Sequence, residues 1–382
     1  MRDLHLWMQR REPHILRLLK RLVEIESPSY DKGAVDRMGR AVAAEWRRRG
    51  ASVRIVPNRE RGAHVRAEFT PAAQDKSAVS QILVLGHLDT VYPLGTLAKM
   101  PFRIARGRAY GPGTFDMKGG HVIALCAVDA LCALKISSLR KVVFLWTSDE
   151  EIGSQTSRKL IESEARRSKA VFVLEPAFGA DGRLKTQRKG VGEAELIVTG
   201  RSAHAGIAPE TGINAVHELA LQIARLLKWN DAKRGITVQA NVIDGGTASN
   251  VVAANARALI DVRVARASDS RLLNRKLHAL LPILRGAKIK VAGGINRPPM
   301  ERTSGSSALF SQAQKLAREI GVQLGQASTG GGSDGNFTAA LGVPTLDGLG
   351  AVGDGAHSPS ENILISALLE RAALLAGLLA SF

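Results

Sequence analysis

The sequence predicts an α/β protein whose main sheet is covered by helices on both faces and is interrupted by a smaller α+β domain. Short apolar runs typical of buried strands, at residues 82–85, 142–146 and 171–174, alternate with helical segments at about 117–135 and 154–166. Farther along the chain, the elements follow the order β-α-β-β-α-β, which is the ferredoxin-like arrangement.

The elements on either side of this insertion belong to the main domain. Apolar residues at helical spacing predict helices at residues 15–25 and 41–49. After the insertion, helices are predicted at 306–320 and 363–379, with a short strand near Val343 between them. The α/β pattern therefore resumes once the insertion ends.

The inserted domain has four predicted strands and two predicted helices. The strands are 193–198, 236–243, 256–264 and 289–292, and the helices are 213–227 and 271–284. This order divides the chain into a first main-domain segment at 1–188, the ferredoxin-like domain at 189–296 and a second main-domain segment at 297–382.

Composition indicates a globular protein with small-molecule partners. Of the 382 residues, 45% are hydrophobic, the longest apolar stretches are too short for a membrane span, and no signal peptide is recognised. We therefore expect a cytoplasmic protein without a membrane partner. The net charge of +18 raises the possibility of nucleic-acid binding, but the basic residues are scattered and aromatic residues make up only 4%. Nucleic acid is not expected as a partner.

Two adjacent carboxylates, Glu150 and Glu151, follow one of the apolar strands. Burying two like charges side by side is costly unless a cation compensates them, so this pair indicates a metal site. One carboxylate can then bind the metal while its neighbour acts as a base. Taken alone, the pair could equally be a solvated turn.

Other metal-ligand residues follow the predicted strands or lie in glycine-rich loops. They are His87, Asp89, Asp116, Glu175 and His357. Nitrogen and oxygen donors without thiolate suit zinc or a similar ion, and two such ions about 3.5–4 Å apart can activate a water and polarise a carbonyl. Asp116 could instead cap a helix and Glu175 could be a turn residue, but the combination favours a hydrolase.

These residues lie in motifs that resemble those of a known family. The motifs are His87-Leu88-Asp89, Gly111–Gly120 with its Asp-Met-Lys-Gly, Ser148–Gly153 and Glu175-Pro176, together with Gly200–Gly206. They resemble the co-catalytic zinc exopeptidases and aminoacylases, which include acetylornithine deacetylase, succinyl-diaminopimelate desuccinylase and glutamate carboxypeptidase. The resemblance covers nearly the whole chain. It implies a mixed zinc-exopeptidase sheet with helices on both faces, and a ferredoxin-like domain that serves as lid and dimerisation domain.

The resemblance also implies roles for individual residues. Two zinc ions per subunit would be bound, one by His87 and Glu175 and the other by Glu151 and His357, with Asp116 bridging them. The peptide bond after Asp116 would be cis. The catalytic residues would be Glu150 as general base, Asp89 as the residue that orients His87, and His204. His204 would come from the partner subunit and stabilise the oxyanion, so a homodimer is expected.

The same resemblance indicates where a substrate carboxylate would bind. Asn250 and Arg263 would contact it. Apart from the resemblance, the glycine loop around Gly331 could offer backbone N–H groups to a carboxylate, and Arg297 could close over the substrate. Without the family resemblance, the sequence pattern would indicate that Arg263 is an exposed charge on an alternating strand and that Arg297 is a charge in a linker. A small molecule that carries a carboxylate is the expected substrate.

The loop Gly330–Phe337 and the segment Leu85–Pro93 are most similar to the glutamate carboxypeptidase branch, from which the loop departs at Ser333 and Gly335. The primary hypothesis is a zinc-dependent hydrolase that cleaves the amide bond to a C-terminal, glutamate-like amino acid. An alternative is an N-acyl-amino-acid deacylase of the acetylornithine or succinyl-diaminopimelate type. A catalytically silent, basic binding protein is the alternative from another class.

Overall fold

The computed structural model describes residues 1–69, 80–137 and 140–382. Within them the chain forms two compact units. The first comprises Met1–Gln187, Arg302–Thr329 and Ser333–Phe382, and the second comprises Arg188–Glu301 with Gly330–Gly332. The first unit is thus built from both ends of the chain.

The described residues form helices and strands in the following order. Helices α1 to α11 are Arg2–Arg10, Glu12–Val23, Lys32–Arg48, Thr96–Lys99, Gly119–Ala133, Arg158–Arg166, Ala215–Leu227, Ala267–His278, Ser304–Arg318, Gly335–Ala340 and Ile365–Ala380. Strands β1 to β16 are Ser52–Val56, His64–Phe69, Gln81–His87, Arg103–Ala105, Arg108–Tyr110, Val142–Thr147, Ser168–Val173, Leu184–Arg188, Gly190–Thr199, Thr237–Gly245, Asn255–Val264, Lys288–Arg297, Gln326–Thr329, Thr345–Leu346, Gly353–Asp354 and Asn362–Leu364.

The main sheet of the first unit has six strands in the order β1-β2-β6-β3-β7-β14. Strands β6, β3, β7 and β14 run parallel to one another, whereas β2 pairs antiparallel with both β6 and the edge strand β1. Strands β3 and β6 are buried along their whole length, as expected of strands covered on both faces. The predicted mixed α/β fold is therefore confirmed.

Separate hydrophobic clusters bury the two faces of this sheet. On one face, Trp46 of α3 stacks on Phe144 and Trp146 of β6, with ring centroids 4.2 Å and 6.2 Å apart. The other face packs Leu83 and Leu85 with residues of α6 and α10. Odd and even residues of β3 point to opposite faces of the sheet, so this one short strand contributes side chains to both clusters.

The second unit has the predicted ferredoxin-like order, with β9, α7, β10, β11, α8 and β12 following one another. Its sheet is antiparallel throughout, in the order β10-β11-β9-β12. Alternate residues of β11 are buried in a cluster with Leu219 of α7 and Leu273 of α8. One face of this sheet therefore carries both helices.

Several element boundaries differ from the prediction. Helix α8 spans Ala267–His278 rather than 271–284, since Pro282 cannot continue a helix and the chain turns before it. Helix α6 begins at Arg158 rather than 154, because the intervening residues form turns. No helix among the described residues is long and apolar enough to cross a membrane.

Candidate active site

The predicted metal ligands come from separate segments of the first unit. His87 is the last residue of β3, Glu151 lies in the turn after β6, and Glu175 follows β7. These three strands are parallel neighbours, so their carboxyl ends meet at one edge of the sheet. Asp116 lies in the turn before α5, and His357 lies between β15 and β16. Chain order alone does not bring these last two residues to that edge.

Asp116 lies between the two histidines and presents one carboxylate oxygen to each. Its Oδ1 is 3.1 Å from Nε2 of His87, and its Oδ2 is 3.4 Å from Nε2 of His357. Nε2 of His87 is also 3.5 Å from Oε1 of Glu175. Nε2 of His357 is 3.4 Å from Oε2 of Glu151. The contacts form two halves that share Asp116, each with one histidine and one glutamate.

The crowded charges shift the pKa values of this cluster. Contacts with Asp116 and Glu151 raise the pKa of His357 to about 10. Burial, with the nearby charge of Asp116, raises the pKa of Glu151 to about 7. Burial also opposes ionisation of Asp116 itself, but its contacts with His357 and His87 hold the pKa of that carboxyl well below its usual value. The carboxylates would therefore stabilise a positively charged ion at this point.

The donor set fits a divalent metal. Ligand atoms of His87, Asp116 and Glu151 lie within 4.8 Å of one another, and so do those of His87, Glu150 and Glu175. Oε1 of Glu151 is buried and has no hydrogen-bond partner within the described part of the chain. A buried carboxylate oxygen without a donor is costly, and a cation would remove that cost. Imidazole and carboxylate ligands of this kind suit zinc and similar ions.

Asp89 contacts both His87 and the turn that carries the glutamate pair. Nδ1 of His87 is hydrogen-bonded to the main-chain oxygen of Asp89 at 2.9 Å, and it lies 3.5 Å from the Oδ1 carboxylate atom. The same carboxylate accepts the backbone N–H groups of Glu150 and Glu151, both at 3.2 Å, and the Ser29 hydroxyl at 2.8 Å. Asp89 therefore connects the end of β3 to the turn that carries the glutamate pair.

Glu361 is a residue of this site that the sequence analysis missed. Its buried carboxylate accepts the backbone N–H groups of Gly113, Phe115 and Asp116 at 2.9, 2.7 and 2.9 Å. The hydroxyl of Tyr92 donates to the same carboxylate at 2.5 Å. The peptide bond after Asp116 is cis, as expected. The available signal was a glutamate four residues after His357, but nothing in its spacing indicated a partner so distant in sequence.

The remaining predicted site residues lie in the second unit. His204 is exposed, and its Nδ1 accepts the backbone N–H groups of Gly206 and Ile207, both at 3.2 Å. The main-chain oxygen of the exposed Asn250 accepts the N–H of Ala205 at 2.9 Å. His204 and Asn250 are thus held in adjoining segments of one loop region, with their side chains accessible.

The predicted arginines differ in their surroundings. Arg263 forms a two-pronged pair with Asp261 of the same strand, with Nη2 2.8 Å and Nε 3.0 Å from the carboxylate oxygens. Arg297 is buried. Arg188, which the sequence analysis missed, donates to the main-chain oxygens of Gly331 and Gly332 at 3.2 and 3.1 Å. The Arg188 contacts fix the glycine loop. Arg263, in contrast, is already paired with Asp261 of its own strand.

A sheet edge that gathers two histidines, a shared aspartate and two glutamates, with Glu150 beside them, is typical of a metal-dependent hydrolase. The family model of peptidase family M20/M25/M40 matches residues 83–381. The chain belongs to this family.

Individual relatives agree with this assignment. Carboxypeptidase G2 of Pseudomonas sp. (strain RS-16) is 32% identical over 364 residues, which cover 94% of this chain and 87% of that protein. Succinyl-diaminopimelate desuccinylase of Dechloromonas aromatica (strain RCB) is 32% identical over 309 residues, covering 76% of this chain and 80% of that protein. Among solved structures, the M20 family metallo-carboxypeptidase Sso-CP2 from Sulfolobus solfataricus shares the fold. Its TM-score is 0.74 at 18% identity, with 96% of this chain and 98% of that chain covered.

Proposed function

We propose that this protein is a zinc-dependent hydrolase that cleaves the amide bond to a C-terminal amino acid, with glutamate or a similar acidic residue as the preferred leaving group. The observation that carries the proposal is the position of Asp116 between His87 and His357, with a glutamate beside each histidine. The similarity to Carboxypeptidase G2 over 94% of the chain supports the choice of bond.

Two zinc ions would be held by these residues, the first by His87 and Glu175 and the second by Glu151 and His357, with Asp116 shared. When bound, such ions polarise a carbonyl and increase the acidity of water. Glu150 is the neighbouring carboxylate that none of these ligand roles uses. It takes the proton of the attacking water and returns it to the departing amine, which needs a base close to, but not consumed by, the metal ligands.

The substrate carboxylate would be bound by residues of the second unit. The family resemblance assigns this role to Asn250 and Arg263, and Arg297 and the backbone of Gly331 are further candidates for it. Arginine matches a carboxylate with two parallel N–H donors. Because Arg263 is already paired with Asp261, it would have to exchange that partner for the substrate. An acidic substrate therefore competes with an internal carboxylate, which favours substrates of high negative charge.

The test is a substrate panel with the zinc-loaded protein. N-acyl-glutamates, N-acyl-ornithines, N-succinyl-diaminopimelate and dipeptides would be compared by kcat/KM. The proposal expects acyl-glutamates to be preferred by at least about tenfold, which corresponds to about 1.4 kcal/mol of transition-state binding. A preference for acyl-ornithine or dipeptides of neutral residues would contradict the glutamate assignment while leaving the hydrolase class intact.

A desuccinylase or deacetylase activity is the second candidate. It is favoured by the 32% identity with a succinyl-diaminopimelate desuccinylase over 76% of the chain. The same panel distinguishes it, because N-succinyl-diaminopimelate would then have the highest kcat/KM. Membership of this peptidase family and the cluster of candidate metal ligands argue against the catalytically silent binding protein.

We further propose that the active enzyme is a homodimer in which His204 serves the partner's site. Co-expression of His204→Ala and Glu150→Gln subunits with different tags yields mixed dimers. In a symmetric dimer one of the two sites then keeps both groups, so the mixed dimer should recover roughly half of the wild-type activity. An inactive mixed dimer, with both parent dimers also inactive, would contradict action in trans.

A further inference from the structure

A cavity of the first unit is lined by none of the candidate metal ligands. Its volume is about 740 Å³, within the range of roughly 300–1,000 Å³ typical of small-molecule sites. The junction of α1 and α2, the exposed side of α2 and the C-terminal ends of α3 and α5 surround it. Most of its polar lining is basic, comprising Arg11, His14, Arg17, Arg21, Arg48 and Arg49.

Among the described residues, two carboxylates line the same cavity, and both are already paired. Glu45, with 6% of its side chain exposed, is bound by Nη1 of Arg49 at 2.8 Å and by Nη2 of Arg48 at 2.9 Å. The Arg21 guanidinium contacts it as well. Oδ2 of Asp129 lies 2.7 Å from Nη2 of Arg49. Five guanidinium groups against two carboxylates leave three positive charges uncompensated in the cavity wall.

Two of the arginines have no carboxylate partner among residues 1–69, 80–137 and 140–382. Arg11 lies with its guanidinium carbon 5.0 Å from the centroid of the Trp7 ring. Arg17 is exposed on the cavity side of α2 and takes part in no ion pair with a described residue. Cations gathered in one concavity repel one another, so a bound anion would relieve this repulsion.

We propose that this cavity binds a small anion that carries a di- or triphosphate group. Each guanidinium can donate two parallel N–H bonds to a pair of phosphate oxygens. The ion pairs of Arg49 with Glu45 and Asp129 fix the position of its guanidinium in the cavity wall. A single negative charge would leave most of the excess uncompensated, whereas a diphosphate or triphosphate matches it. The bound anion would tie α2 to α3, and it would stabilise the first unit against unfolding.

The test measures binding of inorganic pyrophosphate to the metal-loaded protein at about 0.15 M salt, by isothermal titration and by the shift in Tm. ATP tests whether a nucleoside adds to the affinity, and citrate tests whether carboxylates suffice. We expect the double variant Arg11→Ala/Arg17→Ala to bind pyrophosphate at least about tenfold more weakly. Its circular dichroism and its turnover without added anion should match the wild type, since neither residue belongs to the metal site.

Arg47→Ala is the matched control, because Arg47 is exposed on the same helix as Arg48 but does not line the cavity. It should keep wild-type affinity within about twofold. If pyrophosphate removes metal from the protein, it does so in every variant alike. A difference in pyrophosphate affinity between variants therefore reports on binding in the cavity. The proposal is overturned by no pyrophosphate binding at millimolar concentration, by equal weakening in Arg47→Ala, or by tighter binding of citrate. Equal affinity for ATP and pyrophosphate supports recognition of the phosphates alone, and tighter ATP binding supports a nucleotide.

Discussion

The carboxylate of Asp89 accepts the backbone N–H of Glu150, with 3.2 Å between Oδ1 and the nitrogen. The other oxygen accepts the N–H of Glu151, so one side chain positions both members of the glutamate pair. The two glutamates have different roles in the proposed mechanism, and both depend on the turn that Asp89 holds. The position of Glu150, the proposed base, is therefore set by the segment that follows β3.

Asp89→Asn should reduce kcat/KM by about 10- to 100-fold, as is typical when a residue that orients metal ligands is changed. The amide nitrogen of the asparagine would face a backbone N–H, so one of the two hydrogen bonds is lost. Steady-state kinetics and metal analysis check this prediction. Ser29→Ala is the control, because it removes only the Ser29 donor to Asp89 and should cost less. Equal effects of the two variants would contradict the assigned role.

Glu150→Gln and Glu151→Gln should separate the base from the ligand. We expect Glu150→Gln to keep its metal but to lose turnover by about 10²- to 10⁴-fold, because a glutamine cannot accept the proton. Glu151→Gln should lose metal as well as activity, because its carboxylate faces His357. Metal content by atomic emission, measured beside kcat, distinguishes the two outcomes. Retained turnover in Glu150→Gln would disprove its role as the base.

Glu361→Gln should weaken the loop that carries Asp116. The carboxylate accepts three backbone N–H groups of that loop, and a glutamine offers only one acceptor oxygen. A buried N–H left without an acceptor costs about 1–3 kcal/mol, which denaturant unfolding of metal-free protein would detect. Metal affinity should fall too. Tyr92→Phe removes a single donor to the same carboxylate and should have a smaller effect on both measurements.

The free energy of unfolding should fall at acid pH because the carboxylate of Glu164 becomes protonated. Burial opposes its ionisation, but hydrogen bonds from Gln81 and Arg66 lower the pKa of this carboxyl below its ordinary value of 4.5. A carboxyl with a lowered folded-state pKa stabilises the protein above its unfolded pKa, and this contribution is lost as the pH falls through the folded value. Between about pH 5 and pH 3, the wild type should therefore lose more stability than Glu164→Gln, as measured by chemical denaturation. A parallel decline in both proteins would contradict the prediction.

Periodicity and motif spacing predicted much of the fold because they reflect local geometry. The buried runs of β3, β6 and β7 and the β-α-β-β-α-β order needed only neighbouring residues to be recognised. Strands β4, β5, β15 and β16 were missed, since two or three residues carry no period, and the longer strands β1, β2, β8 and β13 were missed as well. The end of α8 was misplaced although Pro282 lies inside the predicted range and cannot continue a helix.

For the site, donors after the predicted strands and in glycine-rich loops predicted a group of candidate ligands, and the family resemblance selected His87, Asp116, Glu151, Glu175 and His357 from it. The candidates after β3, β6 and β7 could be predicted because they follow these strands directly along the chain. Three contacts depend on the tertiary structure. Asp116 presents one oxygen to each histidine, and Asp89 binds the glutamate turn. Glu361 contacts a loop whose residue Asp116 lies 245 positions earlier in the chain. Contacts between such distant residues leave no trace in spacing, since only the packed chain brings their atoms within hydrogen-bond distance.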